Sequence, residues 1–223
     1  MIVFEDVSHD YGGGPLFGDV SVRLEPGSFH FLTGPSGAGK STFLKLCYGE
    51  LLPSLGKVSL MNRDLRAMSR DDLAETRARI GVVHQDCQFL DHLDVETNIS
   101  LPLTATGRPV NERDVRDLMG WVGLAEQAKS LPPTLSGGER QRAALARAII
   151  GAPNVLLADE PTGNLDWDMS QRLMMLMIEL NRMGTAVLIA THDLNLIRFA
   201  KAQVQARVMR ISGRKLQLAG AEL

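Results

Sequence analysis

The chain has 223 residues, 44% of them hydrophobic, and 24 Lys plus Arg against 26 Asp plus Glu give a formal net charge of −2. This is enough apolar material for one large or two small domains with a proper core, and so balanced a charge leaves no electrostatic footprint for nucleic acid. The two cysteines, Cys47 and Cys87, lack metal-ligand spacing and point to a reducing compartment. No apolar run approaches the roughly 20 residues of a membrane span, so membrane association would have to come through a partner.

In chain order, Ile2 to Val7 alternates like a strand and lacks the basic region and apolar core of a signal peptide. Val20 to Leu24 and Ser28 to Leu32 read as further strands, separated by a Glu25-Pro26-Gly27 turn. Directly after the buried-strand pattern Phe29 to Leu32 comes Gly34-Pro35-Ser36-Gly37-Ala38-Gly39-Lys40-Ser41, which fits G-x-x-x-x-G-K-[ST], and then a helix start at Thr42. Glycines allow consecutive N–H groups to turn inward around phosphate oxygens, and the helix that follows presents its positive end there. Lys40 would neutralise the outer phosphates and Ser41 would hold magnesium. Cys47 falls on the apolar face of this helix as packing, and Cys87 reads as structural rather than reactive.

From about Asp86 to Ile150 the sequence turns helical and charged, with Asn111 to Val122 amphipathic and Pro132-Pro133 breaking the chain. Ser136-Gly137-Gly138 then precedes a helical pattern from Glu139 to Ile150, a second helix start stripped of bulk and a second anion site. One chain has little use for two, so the surplus points to a dimer. Val155 to Glu160 is a core strand ending in two acids: Asp159 to serve magnesium through water, Glu160 to polarise an attacking water. Ala186 to Asp193 repeats the design with His192 at its tip, and Gln205 to Leu218 alternates around Ser212-Gly213-Arg214 as a terminal hairpin. No internal repeat or low-complexity segment is present.

Taken together these motifs resemble the ABC-type ATPases, the nucleotide-binding subunits of membrane complexes, and the resemblance covers the whole chain. It implies an α/β P-loop fold with a RecA-like core, an N-terminal antiparallel β subdomain and a helical subdomain, as a single ATP-binding domain. Residues 1–85 and 151–223 would form the core lobe and 86–150 the helical lobe. By resemblance, Tyr11 stacks on adenine, Gly34 to Ser41 with Thr42 is the phosphate loop, Gln85 reaches magnesium and the reacting phosphate, and Asp159 and Glu160 are the metal-serving and catalytic acids. Leu135 to Glu139 is the family signature, Asn164-Leu165-Asp166 lies at the subunit contact, and His192 is the switch histidine. In the family two subunits face head to tail, so ATP and Mg2+ on one phosphate loop are closed by Ser136, Gly137 and Gly138 of the other.

Thr162-Gly163-Asn164-Leu165-Asp166 resembles the branch of the family that comprises cell-division, lipoprotein-releasing and macrolide-exporter ATPases, and Met1 to Ser8, Phe31 to Thr42 and Ala190 to Ile197 resemble its cell-division members. An integral membrane permease-like partner at the cytoplasmic face of the bacterial inner membrane is then expected. Two features depart from the cell-division members: His84 stands where an aromatic is common, and Glu139 to Arg142 is shared with exporter members. A lipoprotein-releasing or macrolide-type exporter ATPase would share the chemistry and differ in partner and cargo. A soluble, non-transport family member would be expected to show paired cassettes, a long coiled-coil insertion or a basic face, none of which is visible. Cys87 to Val95 is the segment that either docks the partner, through Phe89, Leu90 and Leu93 beside Asp91 and Asp94, or fills the helical lobe's own core.

Overall fold

The site is positioned by a six-stranded sheet whose strands β3 (Phe29–Thr33), β6 (Ile80–Val83), β7 (Val155–Asp159), β8 (Ala186–Ala190), β9 (Ala206–Ser212) and β10 (Lys215–Leu218) run in the order β10-β9-β3-β8-β7-β6. All neighbours pair in parallel except β9 and β10. The computed structural model describes residues 1–163 and 165–218. Beside this sheet lies an antiparallel one, β2-β1-β4-β5, made of β1 (Ile2–Asp10), β2 (Pro15–Leu24), β4 (Leu55–Leu60) and β5 (Arg63–Asp64).

The central strands are continuous apolar runs because both faces of a parallel sheet are covered. Period-two alternation divides them: Phe29, Phe31, Leu156, Ala158, Val187 and Ile189 join one core cluster, whereas Leu32, Val155, Leu157, Leu188 and Ala190 join the other. Helices α5 (Gly137–Ile149), α6 (Trp167–Arg182) and α7 (Leu194–Lys201) supply the first cluster. The second is closed by α1 (Lys40–Cys47) and the antiparallel sheet, where Phe43 stacks on Phe4 at 4.6 Å and contacts Phe17. Each fully buried Leu or Phe in these layers contributes roughly 1.5–3 kcal/mol. Cys47 is fully buried there, as packing.

Three further α-helices, α2 (Arg70–Arg77), α3 (Val95–Ala105) and α4 (Glu112–Trp121), and three single-turn 3-10 helices at Leu65–Ala67, Ala125–Gln127 and Pro132–Thr134 complete the regular structure among the described residues. Between β6 and β7 the regular structure is entirely helical among the described residues. Helix α5 begins two residues earlier than its apolar pattern suggests. Ser136 is its N-cap, so Gly137 and Gly138 are its first turn rather than its approach. The terminal hairpin forms as expected, but β9 also pairs with β3 and so belongs to the central sheet. The expected α/β fold with a P-loop core is the fold observed.

Candidate nucleotide site

Four adjacent parallel strands end at one edge, and each is followed by a residue singled out in the sequence. Leu32, Ala190 and Asp159 share a register level, with Val83 opposite Ala158. Gly34, His192, Glu160 and Gln85 therefore emerge together beyond the carboxyl ends of their strands, the side on which open α/β sheets bind ligands. They line a cleft of about 680 Å³ with Tyr11, Leu16, Pro35, Ser36, Gly37, Gly39, Lys40, Ser41, Thr42 and Asp159.

The phosphate loop can be built only with glycine at its ends. A side chain at Gly34 would meet the Ile211 carbonyl oxygen at 2.6 Å, and one at Gly39 would meet Leu16 at 2.9 Å, both at positive φ. Gly39 is also the N-cap of α1, and no side chain caps that helix end. Its first-turn N–H groups are left for an anion. Ala38 does not line the cleft but packs into the second core cluster. The Lys40 ammonium donates to the Gly34 and Pro35 carbonyls at 3.1 and 3.4 Å, folded back over its own loop. Tyr11 follows β1, 65% exposed, with its hydroxyl 3.2 Å from Thr42 Oγ1 and its ring 4.7 Å from that of His9 in a T-shaped contact, which places the ring at the rim.

Asp159 is buried at the end of β7. Burial pushes its carboxyl above the usual carboxylate range, opposed by a hydrogen bond from Ser41 and the charge of Lys40. Next to it, Glu160 adopts φ 47°, a left-handed conformation rare outside glycine. That turn aims the carboxylate at His192, whose Nδ1 lies 2.9 Å from Oε1. The carboxylate is 16% exposed and the imidazole 79%, so the histidine is held from one side and open on the other. Ser41, Asp159 and Gln85 present hydroxyl, carboxylate and amide oxygens to one cleft. These are hard donors suited to Mg2+ that shares phosphate oxygens and water; no group of three or more His, Cys, Asp or Glu placed to hold a metal ion by itself is found among the described residues.

The remaining residues do not join this cleft. Ser136 caps α5 reciprocally with Glu139: Glu139 N–H donates to Ser136 Oγ at 3.3 Å, while Ser136 N–H and Oγ–H donate to Glu139 Oε2 at 2.8 and 2.7 Å. Gly137 lines a neighbouring cleft with Gln85 to Phe89, and Gly138 follows it in the first turn of α5. Asp166 caps α6 by accepting from Met169 N–H at 2.8 Å, and Asn164 lies outside the described residues. Gln85 lines both clefts.

The family profile for ABC transporters matches residues 17–163. The chain belongs to the ABC transporter family. This cassette is 44% identical over 200 residues to the cell division ATP-binding protein FtsE of Escherichia coli K12, spanning 88% of the chain and 90% of that protein. It is 39% identical to FtsE of Bacillus subtilis, spanning 92% of each. Among solved structures it superposes on the dimeric ATP-binding cassette MJ0796, in a post-hydrolysis state bound to ADP and Pi, with a TM-score of 0.90 at 28% identity over 100% of both chains. It is accordingly an ATP-binding cassette with ATP hydrolase activity.

Two parts of the surroundings were not legible in the motifs. Leu16 borders the loop from β2. Gln141, fully inside α5, donates from Nε2 to the Glu160 carbonyl at 3.2 Å and accepts the Cys87 thiol on Oε1 at 3.4 Å. Burial raises the Cys87 thiol above its ordinary range, in keeping with a structural cysteine. In the segment after Gln85 one apolar residue fills the core and one does not. Phe89 packs against the first core cluster under the Arg140 and Arg147 guanidiniums, 5.5 and 4.6 Å from its ring centre, whereas Leu90 is 45% exposed.

Proposed function

We propose that this cassette is the ATP-hydrolysing subunit of a membrane ABC complex of the cell-division type. It would act as a head-to-tail homodimer with an integral, FtsX-like permease subunit and couple ATP-driven closure to control of peptidoglycan hydrolysis. Residues 1–85 and 151–223 form its nucleotide-binding lobe and 86–150 its helical lobe. The observation that carries the mechanism is that the Glu160–His192 pair stands in the same cleft as Lys40, whereas the glycine-led end of α5 faces elsewhere. A nucleotide on Lys40 thus lacks a second wall from its own chain, and Ser136, Gly137 and Gly138 of a partner subunit supply it.

In this reading Tyr11 stacks on the base, and the N–H groups of the loop from Gly34 to Thr42 cradle the phosphates while Lys40 leaves its own carbonyls for phosphate oxygens. Ser41, Gln85 and Asp159 hold Mg2+, which when bound offsets charge on the phosphate oxygens. Glu160 orients the attacking water, and His192 holds that carboxylate and the outer phosphate. Asp166 contributes at the subunit contact. Loss of the outer phosphate removes what held the two halves together, and reopening moves the partner.

No helix among the described residues is long and apolar enough to cross a membrane, which suits attachment at the cytoplasmic face of the inner membrane through the partner. The cell-division assignment is supported by the identity to FtsE over nine-tenths of that protein. Glu160→Gln keeps the size of the side chain and removes its charge. It should still bind ATP, accumulate as an ATP-dependent dimer in light scattering, and lose turnover by roughly 100-fold or more. Recovery of a four-span division permease with that variant from detergent-solubilised membranes supports the partner; an efflux or lipoprotein-release permease would reassign the physiology. Unchanged turnover removes Glu160 from catalysis.

A further inference from the structure

Gln141 is a buried amide whose two ends are spent on two different functional segments. Its Nε2 donates to the main-chain carbonyl of Glu160, 19 residues on, and its Oε1 accepts at 3.4 Å from the thiol of Cys87, 54 residues back, which shares its hydrogen with the His84 carbonyl at 3.7 Å. A buried amide with both ends satisfied fixes the segments it joins, because leaving either end unpaired is costly.

The Glu160 end matters because that residue sits in a left-handed conformation, which persists only when its surroundings hold it. Three hydrogen bonds do so: its N–H to the Ala190 carbonyl at 2.9 Å, and its carbonyl from Gly163 N–H and from Gln141, both at 3.2 Å. Of the three, the Gln141 bond alone comes from a side chain and from α5. The direction of the carboxylate toward His192 follows from this backbone setting.

The Cys87 end matters because the same helix grips the whole segment that leaves Gln85. Arg140 Nη2 donates to the Cys87 carbonyl at 3.0 Å, Arg147 Nη1 donates to the Gln88 carbonyl at 2.6 Å, and both guanidiniums lie over Phe89. A shift of residues 87–89 therefore acts on α5, and through one side chain on the residue that carries the water-orienting carboxylate.

We propose that Gln141 is a positioning residue for hydrolysis, tying the main chain of Glu160 to the segment that follows Gln85 so that the carboxylate is set only when that segment is in place. This rests on the reading of Glu160 as the group that orients water. Spatial intermediacy alone does not establish coupling, so the test is a set of linked variants of the full chain. Gln141→Met keeps the volume and removes both hydrogen bonds. Its kcat for ATP should fall about tenfold with KM within about twofold, since the interaction serves the chemical step and not binding. In a Glu160→Gln background the same substitution should add less than about twofold, because there is no carboxylate left to position.

Cys87→Ala should cost about threefold in kcat and Cys87→Ser, which keeps a donor, should restore it. Neither should change the rate once Gln141→Met is present. The half-buried Cys87 site carries the test if Gln141→Met folds poorly. A Gln141→Met enzyme with wild-type kcat, alongside an inactive Glu160→Gln, overturns the proposal and leaves the catalytic reading standing. Independent, multiplicative effects of Gln141 and Cys87 overturn it as well. Full turnover in Glu160→Gln defeats the catalytic reading itself.

Discussion

His30 lies on β3, one strand length before the phosphate loop, 2% exposed and with its Nδ1 unpartnered. Even-numbered positions of β3 face the second core cluster, and Arg207 stands beside it on β9. Burial first, and the Arg207 charge second, hold its pKa near 4 rather than 6.5. A histidine whose folded pKa lies below its unfolded pKa is protonated earlier in the unfolded chain, so between those values unfolding takes up a proton and stability falls as pH falls. The loss begins near pH 6.5, reaches about 2 kcal/mol at pH 5, and levels off at about 3 kcal/mol below the folded pKa, at ~1.4 kcal/mol per pH unit. His30→Leu replaces the ring with an apolar group of similar size and removes the titration. Urea unfolding of both proteins by circular dichroism, without nucleotide, at pH 7.5 and pH 5 gives four free energies. The pH-dependent loss in the wild type should exceed that in His30→Leu by about 2 kcal/mol, and other titrating groups cancel in the difference. Equal losses in the two proteins would refute the argument from burial.

Gly81 in β6 lies so close to α5 that an added methyl would meet the Ala148 carbonyl oxygen at 2.2 Å and Pro153 at 3.1 Å. Gly81→Ala should push the strand leading to Gln85 away from the signature helix, costing about 1–3 kcal/mol and lowering Tm by several degrees in thermal unfolding. Leu90→Asp, at an exposed position whose backbone is held by the buried Asn98 side chain, should weaken recruitment to membranes in a flotation assay while leaving ATP binding intact. If recruitment is unchanged, the exposed half of this segment is not the docking surface.

The motifs were legible because phosphate chemistry admits few residues at fixed spacing: glycines where a Cβ would strike Ile211 or Leu16, a lysine at a helix start, and acids at a strand end. The strands around them were harder to read where the pleat is interrupted. In β1 the register against β2 shifts between Phe4 and Val7, where Asp6 takes φ 50°, and twice more before Asp10, so no single alternation runs the length of the strand. β2 starts at Pro15, but Asp19 at φ 53° hides all of it before Val20. β4 shows three exposed residues before its buried ones, and β6 is four residues long with a glycine inside, so neither carries a period. Gln141 was invisible for another reason. Flanked by Glu139, Arg140 and Arg142 it reads as one more polar residue of the helix, and only the fold brings Cys87 and Glu160 to it.

The two glycine-led helix ends are electrically different, and the difference orders the events they serve. At α1 no side chain caps the first turn and a lysine hangs over it, so that end is an open anion site. At α5 the Glu139 carboxylate already occupies the first turn, held below its ordinary pKa by its hydrogen bonds with Ser136. The helix thus carries an internal anion where the partner's phosphate would come. A phosphate there competes with a carboxylate that is covalently present, and prevails only with the added charge and N–H contacts of a nucleotide already seated on α1. On the head-to-tail reading proposed above, binding at the phosphate loop would then precede closure onto the signature, and release of the outer phosphate would return Ser136 to Glu139. On the same reading an empty pair of subunits would bring no phosphate to the end of α5, where Glu139 already serves Ser136, so the proposed clamp would wait for ATP.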